Sequence, residues 1–292
     1  MNFALFGKSV PPADAPYIQD LLDKLGSLDG QVFIHAQFYG NIKEMVTFRK
    51  DPVLFSSQET IKGKADFLFS IGGDGTLLDT ITMVGDSGIP IIGINMGRMG
   101  FLSSIAKSEI LPALDEIMDN MYTIDQRTLL RLETPNHLFG EFNYALNDVT
   151  VYKTTSISLL TIKTYINNEF LNTYWADGLI VATPTGSTAY SLSCTGPILT
   201  PDSANFVITP IASHNLTVRP IVIPDNSQIS LLVESRQSEC FVGLDSRIEK
   251  IDSTIRLDIS KENFKINLLR LSNKFFFKTI REKLKWGLDL RN

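Results

Sequence analysis

Only two cysteines, Cys194 and Cys240, occur in 292 residues, far apart and outside any CxxC or histidine-rich spacing. That scarcity argues against a disulfide framework and a structural zinc site, and fits a protein of a reducing cytoplasm. No run of about 18 apolar residues is present, and the opening MNFALFGKSVPP lacks the charged-then-apolar order of an export signal, so no membrane partner is expected. Positive charge is short too: a formal net charge of −5 offers no global basic field, and nucleic acid is not expected as a partner. Two common phosphate-binding signatures are also missing. Leu78 stands where GxGxxG needs its last glycine, and Gly7-Lys8-Ser9 lacks the upstream glycine of a P-loop.

What is present is an ordinary globular balance, with 43% hydrophobic and 20% charged residues, in a chain long enough for two cores. Apolar runs (NFALF, QVFIHA, ADFLFSI, IPIIGIN) alternate with amphipathic stretches at Asp14 to Leu25, Leu77 to Val84 and Ser108 to Met118. That alternation predicts a largely parallel sheet covered by helices, a three-layer α/β domain over residues 1–125. From residue 126 to 271 the runs (YALNDVTVYK, ISLLTIKTYI, GLIVAT, NFVITPI, QISLLVES, STIRLDI) are β-branched and separated by turn formers, which predicts an all-β domain, taken as a β-sandwich. The last stretch, 272–292, returns to helical spacing, with Phe277, Ile280 and Leu284 on one face, and is expected to dock on the first domain. Its basic residues also permit a helix lying on a membrane surface.

Chemistry concentrates in FLFSIGGDGTLL, residues 67–78. A buried strand that ends in Gly72-Gly73-Asp74-Gly75-Thr76 and runs into a helix leaves bare amides near a helix N-terminus, a setting suited to phosphate. A carboxylate held beside phosphates has a use if it binds a metal ion or takes a proton, as phosphoryl transfer requires. The alternative is a tight turn with Asp74 capping the helix. GINMGRMGFL, residues 93–102, carries further glycines and Phe101, which either stacks on a base or packs in a core. Asn147 and Asp148 open a strand, as readers of a ribose or an adenine edge or as a turn. In DGLIVATPTGSTAYSLS, residues 177–193, hydroxyls and free amides are dense enough to suit a nucleotide.

Taken together, GGDGT, GINMGRMGFL, LND, DGLIVATPTGSTAYSLS, ASHNLTVRPIVIP and KTIREKLKWG resemble, in the same order, the NAD kinases. That resemblance implies ATP-dependent phosphorylation of the 2′ hydroxyl of the adenosine ribose of NAD to give NADP. Mg2+ or another divalent metal would assist, ligated by residues that the sequence does not identify. It implies Asp74 as the proton acceptor, with Gly72, Gly73, Gly75 and Thr76 around the phosphates and Gly75 also near NAD. Phe101 would pack on adenine, Asn147 with Asp148 would hold the adenosine and the nicotinamide ribose, and Asp177, with Trp175 close by, would meet the nicotinamide end. Thr185, Thr188, Ala189, Tyr190, Ser191, Leu192 and Ser193 would line the adenosine pocket, and Asp245 and Arg247 in GLDSR would reach the site. A homodimer or homotetramer is implied as well.

Four positions depart from the family pattern: Asp148 where glutamate is usual, Trp175 where many relatives carry arginine, Arg247 for glutamine, and Asp79 for a basic or neutral residue. Two other readings share some of these features. A lipid or sugar-phosphate kinase of the wider superfamily explains GGDGT but leaves the 185–193 loop without a role. A sensor of NAD or NADP that has lost turnover would explain the departures.

Overall fold

The computed structural model describes residues 1–97, 100–153, 159–272 and 275–286, without the side chains of 235–239 and 252–253. The chain divides into two compact units, Met1–Gln126 with Ile266–Asn292, and Arg127–Lys265.

In the first unit the elements are β1 (Phe3–Gly7), α1 (Ala15–Gly26), β2 (Val32–His35), α2 (Ala36–Ile42), β3 (Val53–Phe55), α3 (Gln58–Ile61), β4 (Phe67–Gly72), α4 (Asp74–Val84), β5 (Ile91–Asn95), β6 (Ile105–Ala106) and α5 (Ile110–Met118). The strands form a parallel sheet in the order β3-β2-β1-β4-β5, closed on the far side of β5 by Leu268, which pairs with Ile91. The period-two alternation of strand side chains explains the layers. Phe3, Leu5, Phe67, Phe69, Ile71, Ile92 and Ile94 share one cluster with Ile18, Leu21 and Leu25 of α1, Phe38 and Ile42 of α2, and Ile110, Leu114 and Ile117 of α5. The other face belongs to α4, where Thr80 donates to buried Ser70 Oγ at 2.8 Å and Leu77 lies against Gly93. Helices therefore cover both faces, as the alternating sequence requires. The chain leaves β1 towards β2 and β3 and returns to the other side of β1 as β4, so the carboxyl ends of β1 and β4 flank the topological switch point, the usual ligand crevice of such sheets.

The second unit is mostly β. Its elements are β7 (Tyr122–Glu133), which enters it, β8 (Tyr144–Ala145), β9 (Asp148–Lys153), β10 (Leu160–Ile166), β11 (Glu169–Ala176), β12 (Gly178–Ala182), the four-residue α6 (Tyr190–Ser193), β13 (Asn205–Ile211), β14 (Ile221–Pro224), β15 (Ile229–Leu244) and β16 (Arg247–Leu271), which leaves it. The strands pair antiparallel in the order β14-β13-β12-β9-β15-β16, and β10 joins β15 to β11. Val149, Val151, Ile162, Leu179, Val181, Phe206, Ile208, Leu231, Val242 and Leu244 share one core, while Ile180, Ala182 and Val207 form a second cluster, so β12 is buried on both sides.

Three expectations from the sequence need adjusting. Segments α2, β3 and α3 fall between the sequence-predicted elements, because they are short and Gly40 interrupts the pattern of AQFYGNI. Residues 266–271 belong with the first unit, since β16 runs on to meet β5. In α7 (Phe276–Leu284) only Ile280 is fully buried, and Phe277 is 63% exposed, so the docked face runs through Phe276, Ile280 and Lys283 rather than Phe277. Residues 273–274 and 287–292 of the expected C-terminal helix lie outside the described residues.

Candidate active site

The first cluster stands at the carboxyl end of β4. Gly73 is the N-cap of α4, with no side chain to cap it, and Asp74 is its first helical residue. Its carboxylate turns to the segment after β5: Oδ2 accepts from Phe101 N–H at 2.7 Å, and Oδ1 accepts from Leu102 N–H at 3.1 Å and Ser103 N–H at 2.9 Å. Three charge-assisted main-chain bonds to one carboxylate fix both loops against each other. They take up both acceptor positions of Oδ1 and one of Oδ2, which leaves Oδ2 a position for another partner.

The surrounding glycines divide into two kinds. A Cβ on Gly72 would collide with Thr76 Oγ1, and one on Gly100 would land inside the Asp74 carboxylate, so both are needed by the fold itself. Among the described residues, a Cβ on Gly73 or Gly75 would meet nothing within 4 Å. Phe101 is half-buried, and Lys283 Nζ sits 5.3 Å from the centre of its ring. Arg98 and Met99 of GINMGRMGFL lie outside the described residues.

The second cluster belongs to the second unit. Asp245, at φ +55°, turns its carboxylate onto three consecutive amides: Leu146 N–H at 2.7 Å, Asn147 N–H at 2.8 Å and Asp148 N–H at 3.2 Å. Burial is the largest influence on it and pushes its carboxyl up to about 6, against the pull of those amides and of Arg247. Asp148, buried at the start of β9, has one described donor, Thr150 Oγ1 at 2.8 Å. Burial first, and the Asp245 charge second, push the Asp148 carboxyl up to about 7. Of the two, Asp148 is the one that carries a proton near neutral pH, since Asp245 has the amides to stabilise its charge.

Thr183, absent from the sequence-derived set, ties this segment to the hydroxyl-rich loop. Its Oγ1 donates to Leu146 C=O at 2.5 Å and accepts from Gly186 N–H at 3.1 Å, while its N–H donates to Asn147 C=O at 2.9 Å. Gly186 lies so close to Asn147 that a Cβ would collide with the Asn147 carbonyl. Beyond it, Thr188 Oγ1 donates to Thr185 C=O at 3.1 Å, Arg127 Nη1 donates to Thr185 Oγ1 at 3.2 Å, and Ser191 and Thr209 share a buried hydroxyl pair at 2.8 Å. Thr188, Ala189 and Leu192 are half-buried, and Tyr190 and Ser193 are exposed. Burial and the neighbouring Cys194 thiol push the Tyr190 phenol up, and burial pushes the Cys194 thiol up.

The structure thus brings Asn147, Asp148, Asp245 and the 185–193 loop together. Other expected residues are engaged elsewhere. Arg247 donates to the Phe142 carbonyl and, at 2.5 Å, to the Tyr144 carbonyl, with its guanidinium 6.0 Å from the Tyr144 ring centre. Asp177 pairs with Lys153 Nζ at 2.5 Å. Trp175 is 49% exposed, and its carbonyl accepts from His214 N–H at 2.9 Å. A cavity of about 220 Å³ lined by Leu22, Val32, Phe48 and Arg49 opens at the amino end of the parallel sheet, away from the GGDGT turn. Among the described residues, no helix is long and apolar enough to cross a membrane.

The glycine-rich strand-to-helix turn at the switch point of the first unit has the features of a phosphate-binding turn, and the second unit, taken by itself, presents a buried carboxyl pair and a hydroxyl-rich loop. The ATP-NAD kinase N-terminal domain family matches residues 35–122, and the ATP-NAD kinase C-terminal domain family matches 146–271. The chain is 45% identical over 292 residues to the NAD kinase of Cytophaga hutchinsonii and 40% identical over 292 residues to that of Bacteroides fragilis, covering 100% of each chain in both cases. Among solved structures it is similar to yeast NADH kinase complexed with NADH, with a TM-score of 0.87 at 25% identity, covering 100% of this chain and 89% of that one. An NAD kinase from Archaeoglobus fulgidus in complex with ATP shares the fold, with a TM-score of 0.73 at 23% identity over 98% of this chain and 99% of that one. The chain belongs to the NAD kinase family, enzymes that phosphorylate NAD with ATP. A lipid or sugar-phosphate kinase is thereby set aside.

Proposed function

We propose that Asp74 is the general base of this NAD kinase and that its target is the 2′ hydroxyl of the adenosine ribose. The observation that carries the reading is the Asp74 carboxylate itself, locked by three amides yet keeping an acceptor position on Oδ2. A hydroxyl seated there loses its proton to Oδ2 as its oxygen attacks the γ-phosphorus. The bond between the γ-phosphorus and the bridging oxygen breaks, and ADP leaves with that electron pair. Gly73 and Gly75, where a Cβ would meet nothing within 4 Å among the described residues, keep main-chain amides open to the donor phosphates.

Among the described residues no group of three or more His, Cys, Asp or Glu side chains is placed to hold a metal ion. Magnesium fits this donor set as an ion carried chiefly by the donor's phosphates, with at most one or two carboxylates added. When bound, it neutralises charge on the transferring phosphoryl group.

In the second unit, protonated Asp148 supplies a hydrogen-bond donor, Asn147 an amide, and the exposed Tyr190 a flat face and a phenol for the dinucleotide. Arg247 and Asp245 support this surface from behind, one through backbone carbonyls and the other through backbone amides. On family resemblance the Thr185–Ser193 loop lines the adenosine pocket, and Asp177 meets the nicotinamide end. We assign the enzyme to the cytoplasm and to a homodimer or homotetramer on family resemblance.

The test is Asp74→Asn, assayed for NADP formation and for NAD binding by calorimetry. The expected result is a loss in kcat of about 10² or more with NAD affinity kept within a few-fold. Equal losses of binding and turnover would make the carboxylate structural only.

A further inference from the structure

The ends of β1 and β4 flank the switch point, and β1 delivers a cation there. Gly7, the last residue of β1, pairs with Ile71, and Lys8 follows it directly, one residue past the register that leads into the GGDGT turn. Its ammonium reaches over to Asp79 of α4, Nζ to Oδ2 at 2.5 Å. Asp79 follows Gly75 by four residues, one turn up on the same helix face, and helical side chains lean towards the N-terminus. The ion pair therefore sits on the helix face that Gly75 shares.

Two features make this more than a surface ion pair. Asp79 adds a second carboxylate to the helix that Asp74 opens, an arrangement hostile to a polyphosphate unless a cation accompanies it. Lys8 is 62% exposed and Asp79 24%, and ion pairs so exposed contribute little stability, so an incoming phosphate can draw the ammonium away. The main chain does not depend on that side chain, because the Lys8 carbonyl is held separately by Asn41 Nδ2 at 2.5 Å.

We infer that Lys8 is a phosphate-binding residue for the triphosphate tail of the donor nucleotide, and that Asp79 is a positioning residue that holds the ammonium beside Gly75 until the nucleotide arrives. The inference rests on the phosphotransfer reading and adds to it a residue that the GKS tripeptide, which is no P-loop, had left without a role.

Lys8→Gln, Lys8→Arg and Asp79→Asn test it, with ATP varied at saturating NAD, NAD varied at saturating ATP, and melting temperatures for all. Lys8→Gln is expected to raise KM for ATP about tenfold, the loss of one charge-assisted contact, with KM for NAD changed less than twofold. Lys8→Arg is expected to recover most of that loss, and Asp79→Asn, which releases the ammonium from its holder, to raise KM for ATP by less than Lys8→Gln does. Unchanged KM for ATP in Lys8→Gln would overturn the inference, as would equal rises in both KM values or matching drops in Tm for Lys8→Gln and Asp79→Asn. Calorimetric titration with the magnesium complex of β,γ-methylene-ATP gives a readout independent of turnover. A wild-type protein that forms no NADP would sink the phosphotransfer reading, while weaker analogue binding by Lys8→Gln would still bear on Lys8.

Discussion

Gly100 and Asp74, 26 residues apart, occupy one another's space: the room that a side chain on Gly100 would take is filled by the Asp74 carboxylate. This close approach lets the amides of 101–103 converge on the two carboxylate oxygens. Gly100→Ala should therefore expel the carboxylate without changing its chemistry. The expected outcome is a loss of about 2 kcal/mol in stability and at least a ~10-fold fall in kcat. Thermal denaturation and steady-state assays check it; a variant of wild-type stability and turnover would mean that the two loops do not need each other.

Asp245→Asn replaces a carboxylate that accepts from three amides with a group that has one acceptor oxygen and an NH2 that faces an N–H. Asparagine tolerates the left-handed backbone at φ +55°, so the change isolates the hydrogen bonds. KM for NAD should rise about tenfold, with KM for ATP nearly unchanged. A rise confined to ATP would contradict the assignment of the second unit to the dinucleotide.

Thr183→Val removes one buried hydroxyl and leaves the Leu146 carbonyl and the Gly186 amide without it. A cost of about 1–3 kcal/mol in stability is expected, together with a higher KM for NAD, and Thr183→Ser should restore both. Failure of serine to restore KM would point to packing by the methyl group instead.

The Asp148 carboxyl, raised to about 7, faces Asp245, whose carboxyl is raised to about 6, with Tyr190 and Cys194 near enough to feel its charge. A raised carboxyl binds its proton more tightly in the folded state, so its contribution to stability is full below the unfolded value near 4 and is lost as pH rises towards 7. Wild-type Tm should therefore fall between pH 5 and pH 8 by more than that of Asp148→Asn. NAD affinity should weaken above about pH 7 in the wild type and stay flat in the variant. Parallel pH profiles for both proteins would contradict a protonated Asp148.

Much of this was legible in the residues. The strand-to-helix turn at Gly72-Gly73-Asp74, the parallel sheet and the shift to β after residue 126 follow from periodicity and turn chemistry, which are local. What escaped was long-range. Nothing near Gly100 says that Asp74 will fill its missing side chain, and nothing near Thr183 says that Leu146 and Asn147 will lie beside it. Asp74 shows why the helix-cap alternative fails: Gly73 takes the cap position, and the carboxylate finds three donors beyond the next strand. Arg247, expected at the substrate, binds carbonyls of its own unit, a choice that spacing along the chain cannot reveal.

The most direct measurement is a crystal structure of the enzyme with NAD bound, read for the distance between the ribose 2′ oxygen and Asp74 Oδ2. The account predicts hydrogen-bond reach, about 2.6–3.2 Å or one bridging water. An adenosine ribose seated well away from that carboxylate, in a complex that still turns over on adding ATP, would contradict it.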